Sequence, residues 1–377
     1  MKRRSFTLMA AASVLGVGVL PRISLAADTI PVGSIEVLTG PVSPYGIAIR
    51  DGETLALEEI NAAGGVLGGK KIALTVEDSA GNKDQAINAA RKLIGRDKVV
   101  AIIGPTLSAE YFALAPMTNQ RKVPVIGTSI TSIGATDIGP FCFRTSLPEA
   151  DVIPAALRKA MARGAKTIAL LYANDDLFSK SSYDQMKAAA DAVGLKIVDI
   201  ETFATKDTDF SAQLTKVKGL KPDAIGIAAL VEPTAGVLLQ ARQLGFGPET
   251  LFLGGNGANS PRLGKIAGAA ADGIMVGSPW FIAKDTPQNK AFIAAFNRKY
   301  GKNPDQFAAQ AYDTMHLLAL AIDKAGAPDP LKVRDALMQV KQDGVMGPLS
   351  FNAKRDPASA EGVLVLEMHA GKFGIAP

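Results

Sequence analysis

The sequence predicts an α/β protein of two doubly wound lobes, each a mainly parallel sheet wrapped by helices. Three observations predict it. Apolar runs of strand length alternate with longer segments of helical period. That rhythm restarts once, near Glu149. The chain has 377 residues, and the part following its N-terminal leader exceeds what one core usually organises.

Residues 1–26 have the form of a signal peptide. Lys2, Arg3 and Arg4 make a basic head, Phe6 to Leu20 is an apolar run too short to span a bilayer, and Pro21 breaks it. Ser24-Leu25-Ala26 then supplies the small-x-small pattern of a cleavage site, so the mature chain is expected to start at Ala27 or Asp28 in the periplasm. Arg3-Arg4-Ser5-Phe6 also fits a twin-arginine core, which leaves two export routes open.

Beyond the leader, a strand over 30–37 precedes a helix over 46–63, whose Ala48, Leu55, Ala56 and Ile60 share a face and which ends at Gly64-Gly65. Strand 71–77, helix 83–95, strand 99–103, helix 109–121 and strand 123–126 complete one half, with Phe141-Cys142-Phe143 reading as a further short strand. The second half runs through helix 152–163, strand 167–172, helix 181–193, strand 196–203, helix 210–217, strand 224–229, helix 234–244 and strands 250–253 and 273–276. Three consecutive helices follow, at 289–300, 306–325 and 331–340, with no new sheet to cover. They are expected to return to the first lobe, which makes that lobe discontinuous. Segments 349–351 and 363–368 read as antiparallel closing strands. The expected division is 27–146 with 279–351 for one lobe and 147–278 with 352–377 for the other.

Composition excludes several function classes. The formal charge of +5 is misleading, because the leader carries Lys2, Arg3, Arg4 and Arg22 and no acid. A nearly neutral mature chain has no strong field for nucleic acid or an anionic membrane, and Lys70-Lys71 and Arg121-Lys122 are isolated pairs. The lone Cys142 permits no intrachain disulfide and reads as a buried small hydrophobe. His316 and His369 are the only histidines and lack metal-site spacing, so neither metal nor cofactor is expected. Dinucleotide, phosphate-loop and nucleophile-elbow motifs are absent, and the protein is read as a binding module, not an enzyme.

Three strand-end segments are rich in hydroxyls and glycine. Leu38 to Gly46 reads as a rigid turn presenting Tyr45 ahead of a helix, with a simply packed Tyr45 as the bland alternative. Gly104 to Ser108 stands before the next helix, where Ser108 would serve equally as an N-cap. Gly127 to Ser132 holds four hydroxyls, more than one cap requires. Together Ser108, Ser129 and Thr131 offer hydroxyl and backbone donors to one carboxylate. Ligands of open α/β sheets bind outside the carboxyl ends of the strands, so two facing lobes make a cleft that closes on a small molecule.

These segments, with Glu59-Ile60-Asn61-Ala62-Ala63-Gly64-Gly65-Val66, Asp207-Thr208-Asp209-Phe210, Leu239-Gln240-Ala241-Arg242 and Gly347-Pro348-Leu349-Ser350-Phe351, resemble the periplasmic leucine/isoleucine/valine-binding family across almost the whole mature chain. The resemblance implies a type I periplasmic binding protein: a venus flytrap of two Rossmann-like lobes joined by three hinge crossings. It implies a monomeric carrier that delivers its ligand to an inner-membrane ABC permease with a cytoplasmic ATPase. A periplasmic sensor feeding a membrane receptor or kinase would use the same cleft. The resemblance further implies that Ser108, Ser129 and Thr131 hold the ligand carboxylate and that Tyr45 lines the cleft.

The second lobe departs from the family. Phe178 and Val231 replace tyrosines, and Asn256 stands where the acid that pairs with an α-ammonium is expected. An asparagine cannot compensate a buried ammonium, and a half-paired ion costs several kcal/mol. Glu232, Asp175 or Asp176 would have to replace that acid, although acids past strand ends commonly cap helices or stay solvated. The expected ligand is a small carboxylate, either an amino acid or an aromatic or aliphatic acid. Trp280, the only tryptophan, falls near the second crossing and should report closure.

Overall fold

The computed structural model describes residues 29–360 and 362–377, so the expected leader lies outside the described residues. The first sheet contains β1 (Ile30–Glu36), β2 (Ile72–Asp78), β3 (Ile102–Ile103), β4 (Val125–Gly127) and β5 (Cys142–Arg144), all parallel, in the order β2-β1-β3-β4-β5. Helices α1 (Ser43–Ala62), α2 (Lys83–Gly95) and α3 (Ser108–Gln120) connect its strands. Asn82 starts α2 by accepting from the Asp84 and Gln85 amides, which is why the predicted bounds of that helix hold.

The second sheet repeats the design. Between α4 (Glu149–Ala162), α5 (Leu177–Val193), α6 (Ser211–Leu220), α7 (Val231–Gln243) and α8 (Pro261–Ala267) run β6 (Thr167–Ala173), β7 (Lys196–Phe203), β8 (Ala224–Ala228), β9 (Leu251–Gly254) and β10 (Ile274–Ser278). Then α9 (Pro287–Tyr300), α10 (Gln306–Ala325) and α11 (Pro330–Leu337) follow without an intervening strand. The chain ends with the short hairpin β11 (Gln342–Asp343) and β12 (Pro348–Leu349), then β13 (Leu364–His369) and β14 (Lys372–Ile375). The sheet order is β14-β13-β10-β9-β8-β6-β7, antiparallel only at β10/β13 and β13/β14.

Helices α10 and α11 do return to the first sheet. Met315, Leu318 and Ile322 of α10 and Val333 and Leu337 of α11 share one core cluster with Ile30 and Val32 of β1 and Ala56 of α1. The packing of α1 on α10 is close enough that a Cβ on Gly52 would sit 2.1 Å from the Ala308 carbonyl oxygen. Helix α9 packs differently: Phe292 and Phe296 join the cluster that holds Trp280, Phe307 and the inner residues of the second sheet. The chain passes between the sheets three times, after β5, after β10 and between Phe351 and β13.

The expected closing strand at 349–351 needs correction. Pro348–Leu349 pairs with Gln342–Asp343 across a turn in which Gly344 and Gly347 exchange backbone hydrogen bonds, and joins neither large sheet. Only the 363–368 segment closes a sheet, as β13. Cys142 is fully buried in β5, and burial pushes its thiol up to about 12, so it behaves as the small hydrophobe expected. Among the described residues no helix is long and apolar enough to cross a membrane, and no group of three His, Cys, Asp or Glu is placed to hold a metal.

Candidate functional site

Strand order reverses between β1 and β3 in the first sheet and between β6 and β8 in the second. Such reversals separate adjacent loops at the carboxyl ends of the strands and leave a crevice. A small cavity lies where the two crevices face each other. Tyr45, Thr106, Ser108 and Ser129 line it from the first-sheet side; Phe178, Leu230 and Asn256 line it from the second. Phe307, from the first turn of α10, completes the wall.

The first-sheet side is built from hydroxyls, and their availability differs. Ser108 is the first residue of α3 and not its cap: Leu107 holds the N-cap position, and the Glu110 carboxylate reaches back to the Leu107 amide at 3.3 Å. The Ser108 hydroxyl is thereby released. Its Oγ is buried with no hydrogen-bond partner among the described residues, and the same holds for Thr131 Oγ1. Thr131 is 2% exposed and, unlike Ser108 and Ser129, is not among the residues that line the cavity. Ser129, in contrast, donates its hydroxyl to the Thr106 carbonyl at 2.6 Å, so that proton is already committed. Thr106 is committed as well, donating to the buried Glu36 carboxylate and accepting from the Val37 amide at 2.9 Å.

Tyr45 lies inside the first turn of α1, not ahead of it. Pro44 opens the helix, where its missing N–H has no intrahelical role, so the predicted turn is the helix start. From there the Tyr45 hydroxyl crosses the cavity. It donates to the Gly257 carbonyl at 2.5 Å and accepts from the Val231 amide at 2.9 Å. Burial holds this phenol well above its ordinary range, so the bridging proton stays in place. The ring meets Phe307 edge-on, with centroids 5.0 Å apart.

On the second-sheet side, Phe178 and Asn256 line the cavity as expected, and Val231 does not. Val231 opens α7 with its side chain turned into the core, and the preceding Leu230 takes the lining position. The acids proposed as substitutes are not among the residues that line the cavity, although one carboxylate oxygen of Glu232 is buried without a hydrogen-bond partner among the described residues. Glu232 pairs with Arg262 at 2.7 Å. Asp175 holds the amide and hydroxyl of Thr205, and Asp176 caps α5 through the Ser179 amide. Among the described residues no carboxyl side chain lines the cavity. The nearest buried acid, Glu149, accepts from the Asn256 amide at 2.9 Å, and burial pushes its pKa up to about 7.

Sequence reasoning missed Thr106, Leu230, Gly257 and Phe307 at the cavity, and Glu149 and Gln306 behind it. Gln306 Nε2 donates to Asn256 Oδ1 at 2.6 Å. Its position fifty residues downstream, in a helix assigned to covering a sheet, left no local signal.

Comparison with known proteins shows the family and the fold. A family model described as periplasmic binding protein matches residues 29–371. The leucine-, isoleucine-, valine-, threonine- and alanine-binding protein of Pseudomonas aeruginosa is 31% identical over 357 residues, covering 94% of this chain and 93% of its own. A crystal structure of a leucine-binding protein from Thermotoga maritima superposes with a TM-score of 0.86 at 29% identity, covering 93% of this chain and 98% of that one. A solute-binding protein of an ABC transporter from Rhodopseudomonas palustris, solved with 3,4-dihydroxybenzoic acid, gives a TM-score of 0.82 at 26% identity, covering 92% and 95%.

Proposed function

Because the chain belongs to the periplasmic binding proteins, in their leucine/isoleucine/valine-binding family, we propose that it captures a small carboxylate with an apolar body and no α-ammonium, and delivers it to an ABC permease. The carrying observation is the pairing of two buried, unpartnered hydroxyls, Ser108 Oγ and Thr131 Oγ1, with a cavity wall that contains no acid. Hydroxyl donors at the start of a helix suit an anion, since the first-turn amides and the helix dipole add to them. An ammonium in the same cavity would find no acid among the lining residues, and a half-paired buried ion costs several kcal/mol. Phe178, Leu230 and Phe307 favour an aromatic or aliphatic body.

In this reading the carboxylate docks first on the loops after β3 and β4. The lobes, 27–146 with 279–351 and 147–278 with 352–377, then rotate about the three crossings until Tyr45 reaches Val231 and Gly257. The leader directs export and is removed. Aromatic acids are part of the expectation because the similar Rhodopseudomonas protein was solved with one. Calorimetric titration of the mature protein against leucine, isoleucine, their deaminated acids and benzoate tests the proposal. Binding of a plain carboxylate tighter than of the amino acids supports it; tight leucine binding with no response to the others refutes it.

A further inference from the structure

A chain of side-chain amides runs from the second crossing to the cavity, and its polarity is fixed at one end. The Trp280 carbonyl accepts from Ser278 Oγ at 2.6 Å, and a carbonyl has no proton to return. Ser278 Oγ therefore serves Asn259 Nδ2, 2.8 Å away, as an acceptor. The other Nδ2 proton of Asn259 goes to Gln306 Oε1, also at 2.8 Å. With its oxygen so occupied, Gln306 presents Nε2 to Asn256 Oδ1 at 2.6 Å. Asn256, Asn259, Ser278 and Gln306 are all at least nine-tenths buried, so water does not scramble the sequence of donors.

The consequence falls on Asn256. Its oxygen faces Gln306, and its Nδ2 has no acceptor among the described residues. We infer that Gln306 is a positioning residue that presents Asn256 to the cavity as a donor, and that the ligand therefore carries a neutral oxygen acceptor, a keto or hydroxyl group, besides its carboxylate. This rests on the proposed carboxylate reading and narrows it to oxo or hydroxy acids with an apolar body. An ammonium at this position would meet an N–H where it needs an oxygen. A ligand bearing only hydrogen there would leave the amide unpaired, which is the stronger form of discrimination available to a buried polar group.

The test uses three ligands on one carbon skeleton: leucine, the α-keto acid that replaces its amino group by oxygen, and the acid bearing only hydrogen at that carbon. Phenylalanine and its two analogues form a parallel aromatic set. Each is titrated calorimetrically into the mature wild-type chain, Gln306→Met and Gln306→Glu, with thermal melts of all three proteins. In the wild type, the keto acid of at least one set should bind about tenfold more tightly than the unsubstituted acid, as one neutral hydrogen bond allows. Gln306→Met frees Asn256 to turn, and that ratio should fall towards one while both acids still bind. Gln306→Glu accepts from Asn256 Nδ2 instead and turns Oδ1 towards the cavity, so the amino acid should gain on the keto acid by at least tenfold.

Keto-to-hydrogen ratios near one in the wild type, or unchanged in a folded Gln306→Met, would overturn the assignment of Gln306. Tightest wild-type binding of leucine or phenylalanine would instead overturn the underlying carboxylate reading. If Gln306→Glu does not fold, the methionine ratio still decides the question.

Discussion

Replacing Ser108 and Thr131 by alanine together should separate binding from folding. Each hydroxyl is buried without a hydrogen-bond partner among the described residues. A hydrogen bond to a charged group contributes about 1.5–3 kcal/mol, so losing two should cost about 3–6 kcal/mol of binding. At about 1.4 kcal/mol per tenfold, affinity should fall roughly a hundred- to ten-thousand-fold. The free protein should respond in the opposite direction. A buried unsatisfied group costs about 1–3 kcal/mol, and alanine at the first position of α3 is at least as good a helix former as serine. The Thr131 methyl is lost, at about 0.8 kcal/mol, less than the relief of two buried unsatisfied hydroxyls at about 1–3 kcal/mol each, so the double variant should unfold no earlier than the wild type. Calorimetric affinity for a carboxylate ligand and urea unfolding without ligand read the two quantities. Unchanged affinity would remove both residues from the site. Parallel loss of affinity and ligand-free stability would mean the hydroxyls are structural.

Three further outcomes follow from the geometry. Tyr45→Phe leaves the Val231 amide and the Gly257 carbonyl without their bridging hydroxyl, which should weaken ligand binding by about 2–4 kcal/mol through loss of the closed state; an affinity equal to wild type would show that closure does not use this bridge. Glu149 is raised from 4.5 to about 7 by burial, so the folded state holds its proton more tightly than the unfolded state. Its contribution to stability is therefore complete below about pH 4.5 and is lost as pH rises through about 7. Glu149→Gln should flatten that decline, and a wild-type-minus-variant difference that does not change with pH in urea titrations would contradict it. Trp280 is buried beside Asn289, to which its indole donates at 2.8 Å, and its carbonyl anchors the amide chain leading to Asn256; ligand addition should change its emission, and a flat titration at saturating ligand would place the closing motion elsewhere.

The alternation of strand and helix made the fold legible because each apolar run has one partner rule: strands next to strands, helix stripes on sheets. Residues 83–95 and 306–325 were readable to the residue because Asn82 and Asp305 cap them locally. In the candidate cavity, the lining positions of Ser108 and Ser129 were legible from the loops after β3 and β4, whereas Thr131 is not among the lining residues. Legibility failed where a single step of helical phase matters, placing Val231 in the wall instead of Leu230. Proline misled at Tyr45, since a turn and a helix start share its preferred φ. The commitment of the Thr106 hydroxyl to Glu36 was invisible because seventy residues separate them. Gln306 and Phe307 reach the cavity from a helix whose sequence announces only that it covers a sheet.

The antiparallel strand β13 has a consequence for the order in which the molecule can be completed. It is formed by Leu364–His369, far along the chain, yet it pairs with β10, whose own residues are fully buried, and β14 in turn covers β13. The first sheet has all its strands by Arg144 and its covering helices by Leu337. The second sheet, although most of it is synthesised earlier than α9, waits with one edge unpaired until residues 364–369 emerge. An unpaired edge is a template for wrong partners. Without residues 364–375 that edge of the second sheet stays open to misassembly, so their loss should yield aggregation, not merely a weaker binder.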